Sequence, residues 1–127
     1  DSLGFEIDLA DAERAMGGAR LLVKTLRELG CPIALAGFGS SPVSFDALKQ
    51  LPVQYIKIEG NLVVNIIRDP VALAKVGAIN RVSHTIGVKT IAEFAESQEI
   101  VDRLNQIGVD YAQGFLFSRP QPLENLI

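Results

Sequence analysis

The chain has 127 residues, which suits one domain, and 48% of them are hydrophobic. The formal net charge is −3 and the cations are spread along the sequence, so we expect no duplex nucleic-acid surface. There is neither a bilayer-length apolar run nor a basic-then-apolar leader, so we expect a cytoplasmic protein without membrane insertion. A single cysteine, Cys31, excludes an internal disulfide and a cysteine-built metal site.

The first half of the chain alternates apolar runs with stretches of helical spacing. Gly30 supplies a stop for a long helix, and Pro52 closes a shorter one. The predicted elements are a strand at 3–7, a helix at 11–29, a strand at 32–36, a helix at 44–51 and a strand at 53–58.

The second half continues the alternation. Asp69 and Pro70 indicate an N-cap followed by proline at the first helical position, and Ser97 is a further N-cap. The segments around Pro42, Pro120 and Pro122 are predicted to be turns. The predicted elements are helices at 61–67 and 71–86, a strand at 88–92, a helix at 97–107 and a fifth strand at 110–112.

Strands that alternate with helices at this spacing predict right-handed crossovers and a parallel sheet. Functional side chains are then expected at the carboxyl ends of the strands. Periodicity alone leaves two architectures open, an open five-stranded doubly wound sheet and five-eighths of a closed eight-stranded barrel.

Motif-like stretches coincide with these strand ends: residues 55–59 (Tyr-Ile-Lys-Ile-Glu), 91–96 (Ile-Ala-Glu-Phe-Ala-Glu) and 110–120 (Asp-Tyr-Ala-Gln-Gly-Phe-Leu-Phe-Ser-Arg-Pro). Residues 5–7 read Phe-Glu-Ile and residues 35–39 read Leu-Ala-Gly-Phe-Gly. In order, spacing and type, these stretches resemble the family of EAL-type cyclic diguanylate phosphodiesterases. That family has Leu-Asp-Asp-Phe-Gly where this chain has residues 35–39.

The resemblance implies an α/β fold, with parallel strands alternating with helices in a partial TIM-like (β/α) barrel. Residues 1–127 correspond to the C-terminal portion of the domain, about five strand-helix units. A full EAL domain is roughly twice this length, as suits an eight-stranded barrel. The Glu-Ala-Leu signature of the family does not occur in this sequence.

The same resemblance implies roles for the residues at matching positions. Glu6 and Glu93 correspond to metal-site carboxylates, and Glu59, which stands where the family has aspartate, is a weaker ligand. Lys57 corresponds to a catalytic group near the attacking water, and Glu93 is assigned to catalysis as well as to the metal. Glu96 corresponds to the anchor of the catalytic loop and Gln113 to a site-lining amide. The metal implied by the family is Mg²⁺ or Mn²⁺.

Each of these assignments has a structural alternative. Glu6 is also suited to capping the following helix. Lys57 is also suited to a purely structural ion pair with Glu59 or Glu93. Carboxylates at a strand end and helix start are favourable in any fold, which applies to Glu93 and Glu96. His84 is interpreted as structural rather than as a base.

Ala36 and Gly37 stand where the family has two aspartates, and this difference predicts that catalysis is lost. Adjacent aspartates at one strand end would bridge two divalent ions, whereas Ala36 and Gly37 supply only backbone atoms. Losing such ligands should cost more than the roughly 10- to 100-fold typical of changes around them. The loop 40–44 also departs from the family's Thr-Gly-Tyr-Ser-Ser. We therefore expect no productively bound metal and no meaningful turnover.

Three functions remain open. The first is a degenerate, non-catalytic signalling module that binds cyclic diguanylate or acts through a protein surface. The second is an active metal-dependent phosphodiesterase when the rest of the barrel is present. The third is a structural or assembly half-barrel. Since a run of five strands leaves sheet edges uncovered, we expect self-association or a protein partner.

Overall fold

The computed structural model describes residues 5–38, 46–114 and 117–126, with backbone only at 46–47, 117–119 and 125. It contains six strands, six α-helices and a terminal 3₁₀ turn at Leu123–Asn125 within these ranges. The strands are β1 Phe5–Asp8, β2 Ile33–Phe38, β3 Tyr55–Ile58, β4 Lys89–Ala92, β5 Tyr111–Gly114 and β6 Phe117–Pro122. The helices are α1 Leu9–Arg14, α2 Met16–Glu28, α3 Asp46–Gln50, α4 Gly60–Val63, α5 Pro70–Thr85 and α6 Gln98–Ile107.

All the described strands form a single sheet in chain order, β1-β2-β3-β4-β5-β6. The pairs from β1 to β5 are parallel, and β6 is antiparallel to β5. The carboxyl ends of the parallel strands consequently meet at one edge of the sheet, while β1 and β6 are its two outer strands. The parallel sheet predicted from the alternation is confirmed.

The sheet and helices enclose the hydrophobic core through the alternation of side chains along each strand. The core consists of side chains from one face of the strands and from the sides of the helices that face the sheet. Its strand members include Ile7, Ile33, Leu35, Ile56 and Ile58. The opposite face carries Lys57, together with Tyr55 two residues earlier on β3.

Helix boundaries follow the predicted caps. Asp69 Oδ1 accepts a hydrogen bond from the backbone N–H of Val71, with Pro70 at the start of α5. Ser97 Oγ accepts from the N–H of Ile100 at the start of α6. Gly108 ends α6 with φ 97°, a left-handed conformation that glycine adopts without a Cβ penalty.

Three sequence predictions were wrong. The predicted helix 61–67 is shorter, because α4 ends at Val63 and turns follow it. The predicted helix 11–29 is two helices separated at Ala15 (φ −135°, ψ 55°), a break that nothing in the contacts explains. Pro120 and Pro122 lie in β6 rather than in turns. Proline is tolerated there because β6 is an outer strand, where a missing N–H does not interrupt a ladder on both sides. Pro42 lies outside the described residues.

No α-helix of the described ranges is both long enough and apolar enough to cross a bilayer.

Candidate functional site

The carboxyl ends of β3, β4 and β5 surround a cavity of about 260 Å³. Lys57 comes from β3, Gln113 and Gly114 come from β5, and the connection after β4 supplies the rest. The lining residues are Lys57, Glu93, Phe94, Glu96, Gln113 and Gly114. Four residues that the resemblance singled out are thus brought together at one cavity, on three neighbouring strands.

The connection after β4 is fixed by hydrogen bonds to the strands on both sides. The N–H of Glu93 donates to the carbonyl of Ile58 (3.3 Å), and the N–H of Ala95 donates to the carbonyl of Gln113 (2.9 Å). A Cβ at Gly114 would lie 2.6 Å from the carbonyl oxygen of Ala95, so only glycine permits this approach. The connection therefore holds its side chains at the cavity in a defined position.

Lys57 is a buried cation that forms an ion pair with a carboxylate from another strand. Its residue is 8% exposed, and Nζ lies 2.7 Å from Oε1 of Glu6. The glutamate side chain is 49% exposed. The two side chains can meet because β1 and β3 lie on either side of β2, which carries small residues between them. The sequence alternative that paired Lys57 with Glu59 or Glu93 did not include Glu6 as partner.

Glu93 is the carboxylate whose titration the site alters. Burial raises the pKa of Glu93, the positive charge of Lys57 lowers it, and the negative charges of Glu6 and Glu59 raise it again. A hydrogen bond from the backbone of Gly60 opposes these increases. Because desolvation is the largest of these effects, the neutral form of Glu93 persists to higher pH than in an exposed glutamate.

Ala36 and Gly37 lie near the end of β2, on the route between β1 and β3. Ala36 is buried and pairs in register with Asp8, the N-cap of α1. Gly37 has φ 96°, and a Cβ there would lie 3.6 Å from Oδ2 of Asp8. The position therefore offers space for a side chain but a backbone conformation that non-glycine residues rarely adopt.

The side chains present do not fit a divalent-metal centre. Such a centre needs several carboxylate oxygens converging on one point, and Ala36 and Gly37 contribute none. Within 5–38, 46–114 and 117–126 there is no group of three or more histidine, cysteine, aspartate or glutamate side chains placed to hold an ion. Oε1 of Glu6 is instead engaged by the ammonium of Lys57. Metal-ligand roles for Glu6, Glu59 and Glu93 remain predictions.

Of the other residues discussed from the sequence, Glu96 lies at the cavity and His84 does not. Glu96 is exposed and lines the cavity, whereas the loop that it would anchor, 40–44, lies outside the described residues. His84 is away from the cavity: its Nε2 lies 2.7 Å from Oδ2 of Asp110. That contact agrees with the structural interpretation of His84.

Sequence reasoning gave no role to Phe94. Its φ is 58°, and its ring borders the cavity next to Lys57 and Gln113. It is the only non-glycine residue with positive φ in the described part of the chain. The residue type could not indicate this, because an aromatic residue does not favour that conformation.

A larger cavity of about 640 Å³ lies at the amino ends of β3 and β4, bordered by Tyr55 and Lys89 and by the ends of neighbouring helices. None of the residues to which the resemblance gives a functional role lines this cavity. Size therefore does not identify the functional site here, and we assign the site to the smaller cavity because the matched polar residues converge there.

Comparison with known proteins identifies the family. The model of the EAL domain family matches residues 1–120. The cyclic di-GMP phosphodiesterase PdeB of Shewanella oneidensis is 43% identical over 119 residues, which are 94% of this chain and 14% of that protein. The chain thus spans a small part of the length of this relative.

Solved structures agree in fold. The chain matches the structure of the PaMucR phosphodiesterase in complex with c-di-GMP with a TM-score of 0.81 and 30% identity, over 96% of this chain and 49% of that one. It matches the FimX EAL domain of Pseudomonas aeruginosa bound to c-di-GMP with a TM-score of 0.82 and 32% identity, over 92% and 48% of the two chains. About half of each solved chain is therefore represented here.

Proposed function

The chain belongs to the EAL domain family, and we propose that it is a non-catalytic signalling module that binds cyclic diguanylate without cutting it. The observation that carries this proposal is the pair Ala36 and Gly37 beside the Lys57–Glu6 ion pair. Lys57 places a cation at the cavity, paired with the half-exposed Glu6, whereas Ala36 and Gly37 supply no side-chain oxygen for a metal ion.

The proposal that the chain binds cyclic diguanylate is supported by the side chains that line the cavity. Lys57 places a buried positive charge there, which favours a phosphate group. Burial raises the pKa of Glu93, which reduces the negative charge that an anionic ligand meets at moderately acidic pH. The amide of Gln113 has both donor and acceptor atoms for a base edge or phosphate.

The proposal that the chain does not hydrolyse cyclic diguanylate is supported by the small number of side chains that could bind a metal ion. Where the family's divalent ions are bound, they activate water and neutralise charge that develops on the phosphate. Lys57, Glu6 and Glu59 all act on the charge of Glu93, yet the described residues include no group of acidic side chains placed to hold an ion. The residues present can therefore bind and orient an anion, which is a smaller task than cleaving it.

The test is calorimetric titration of the chain with cyclic diguanylate, with and without Mg²⁺ or Mn²⁺, beside an assay for linear dinucleotide. We expect saturable binding that does not depend on the metal and no product. Lys57→Gln should weaken binding about tenfold, because it removes a charge-assisted contact. Lys89→Gln is the matched control, since Lys89 is exposed at the amino end of β4.

The outcomes separate the three functions. Metal-dependent formation of linear dinucleotide would identify a phosphodiesterase and overturn the proposal. Absence of both binding and product would leave the structural half-barrel. Equal loss of affinity in the Lys57 and Lys89 variants would show that the dinucleotide binds away from the cavity.

A further inference from the structure

Phe94 adopts a backbone conformation that costs free energy. Its φ of 58° lies in the left-handed region, which disfavours a residue with a Cβ. Such conformations persist where the surrounding structure determines them, often at ligand sites. Here the determinants are the hydrogen bonds of the Glu93 and Ala95 N–H groups, which tie both neighbours of Phe94 to adjacent strands.

A glycine on the next strand end accommodates the ring. Gly60, the first residue of α4, is buried, and a Cβ on it would lie 2.3 Å from Cδ2 and 2.6 Å from Cγ of Phe94. The ring therefore lies directly on the backbone of Gly60. Any larger residue at position 60 would displace it.

The ring nevertheless remains half exposed. Phe94 is 51% exposed although it packs against Gly60 on one side, and it borders the cavity that contains Lys57 and Gln113. An aromatic ring held in a strained conformation would normally gain more by burial. Its open surface next to a cation and an amide is the arrangement that proteins use to stack nucleic-acid bases beside a bound phosphate.

We propose that Phe94 forms a stacking subsite for a purine base at the rim of this cavity. The inference rests on the proposed function, because it assigns the base of the same dinucleotide. The cavity of about 260 Å³ is smaller than the roughly 300–1,000 Å³ of sites that enclose a drug-sized ligand. It therefore takes one end of the dinucleotide, with the base on Phe94 and the adjoining phosphate towards Lys57.

The chain has no tryptophan, which allows a direct optical test. Phe94→Trp places a single indole at the proposed subsite, and a stacked purine should quench its emission. The probes are cyclic diguanylate and guanosine 5′-monophosphate. Phe5→Trp is the matched control, because Phe5 is 41% exposed at the start of β1, away from the cavity. We expect saturable quenching in the Phe94 variant alone.

Affinity measurements complete the test. Phe94→Leu removes the aromatic face and should weaken binding of cyclic diguanylate about tenfold, whereas Phe94→Tyr should keep it within about twofold. Gly60→Ala should weaken binding like the leucine variant although Phe94 is unchanged, because the added methyl group displaces the ring. Circular dichroism of all variants verifies that each is folded.

The results distinguish this inference from the proposed function. If the unaltered chain binds cyclic diguanylate but the leucine variant binds equally well and the indole is not quenched, the subsite is wrong and the binding function stands. If cyclic diguanylate does not bind but the monophosphate quenches the Phe94 variant saturably, the subsite stands and the binding function falls. Quenching by neither nucleotide overturns the subsite.

Discussion

At the scale of single residues, the site consists of one buried cation, Lys57, among several carboxylates. Lys57 has Glu6 at 2.7 Å, and Glu93 is influenced by the same cation. Because the Glu6 side chain is half exposed, water offsets part of the cost of losing its partner. The titration of Glu93 is therefore a direct report on the electrostatics of the cavity.

Glu93→Gln should change how stability depends on pH. Burial raises the pKa of Glu93 above its ordinary value of 4.5, so the folded chain holds this proton more tightly than the unfolded chain. The contribution of Glu93 to stability is fully present below about 4.5 and is lost as pH rises through the raised value. The glutamine variant lacks this loss.

Denaturant unfolding of both proteins between about pH 4 and pH 7 checks this expectation. The variant should gain stability relative to the unaltered chain as pH rises. The gain should be modest, because Glu93 is only partly buried and solvent screens its charge. A constant difference across the range would contradict the raised pKa. Glu99→Gln is the control, since Glu99 is exposed in the first turn of α6.

At the scale of elements, the amino ends of β4 and β5 are joined to α5 by a polar network. Asp110 Oδ2 accepts from the backbone N–H of Thr90 (2.9 Å) and lies 2.7 Å from Nε2 of His84. The hydroxyl of Thr90 donates to Oδ1 of Asn80 (2.7 Å), and Asn80 Nδ2 donates to the carbonyl of Ile107. Each of these polar groups therefore contributes to the docking of a helix on two strands.

Asp110→Ala should destabilise the chain by about 1–3 kcal/mol, because the buried N–H of Thr90 loses its acceptor. Asp102→Ala, on the exposed side of α6, removes a carboxylate that accepts from Gln98 and should change stability by less than about 0.5 kcal/mol. Chemical denaturation measures both. Equal effects would show that the network adds nothing beyond a surface contact.

Sequence patterns predicted the parallel alternation because each strand and helix had its own local signal. Asp69, Ser97 and Gly108 fixed helix ends through caps that depend on neighbouring residues alone. The strand β6 was missed because Pro120 and Pro122 indicate turns unless the strand is known to be an outer one. Its position in the sheet depends on tertiary structure, which no window of sequence contains.

In the candidate site, too, some features could be predicted from the sequence and others depend on tertiary structure. Lys57, Glu93, Glu96 and Gln113 could be assigned to one cavity because parallel strands align their carboxyl ends. The pairing of Lys57 with Glu6 depends on the register across β2, and the conformation of Phe94 depends on hydrogen bonds from two flanking strands. Those features arise from the assembled sheet.

At the scale of the whole molecule, the sheet has two outer strands in the described part of the chain, β1 and β6. The prolines of β6 discourage further pairing on that side. By contrast, β1 carries the half-exposed Phe5 and has β2 as its sole neighbour among the described strands. Association is therefore expected to involve β1.

Light scattering after size-exclusion chromatography should show a dimer or larger species for this chain. Phe5→Lys should shift the distribution towards monomer, because a charged side chain on an outer strand opposes pairing with another chain. Leu29→Lys is the control, since Leu29 is 75% exposed beyond the end of α2. A folded monomer in the unaltered chain would contradict the expectation.

The Asp110 network and the cavity lie at opposite ends of the same strands. The contacts that dock α5 on the strands are consequently separate from the rim of the cavity. Under the proposed function, the residues of this rim are therefore able to vary while the contacts that hold the helices in place are kept.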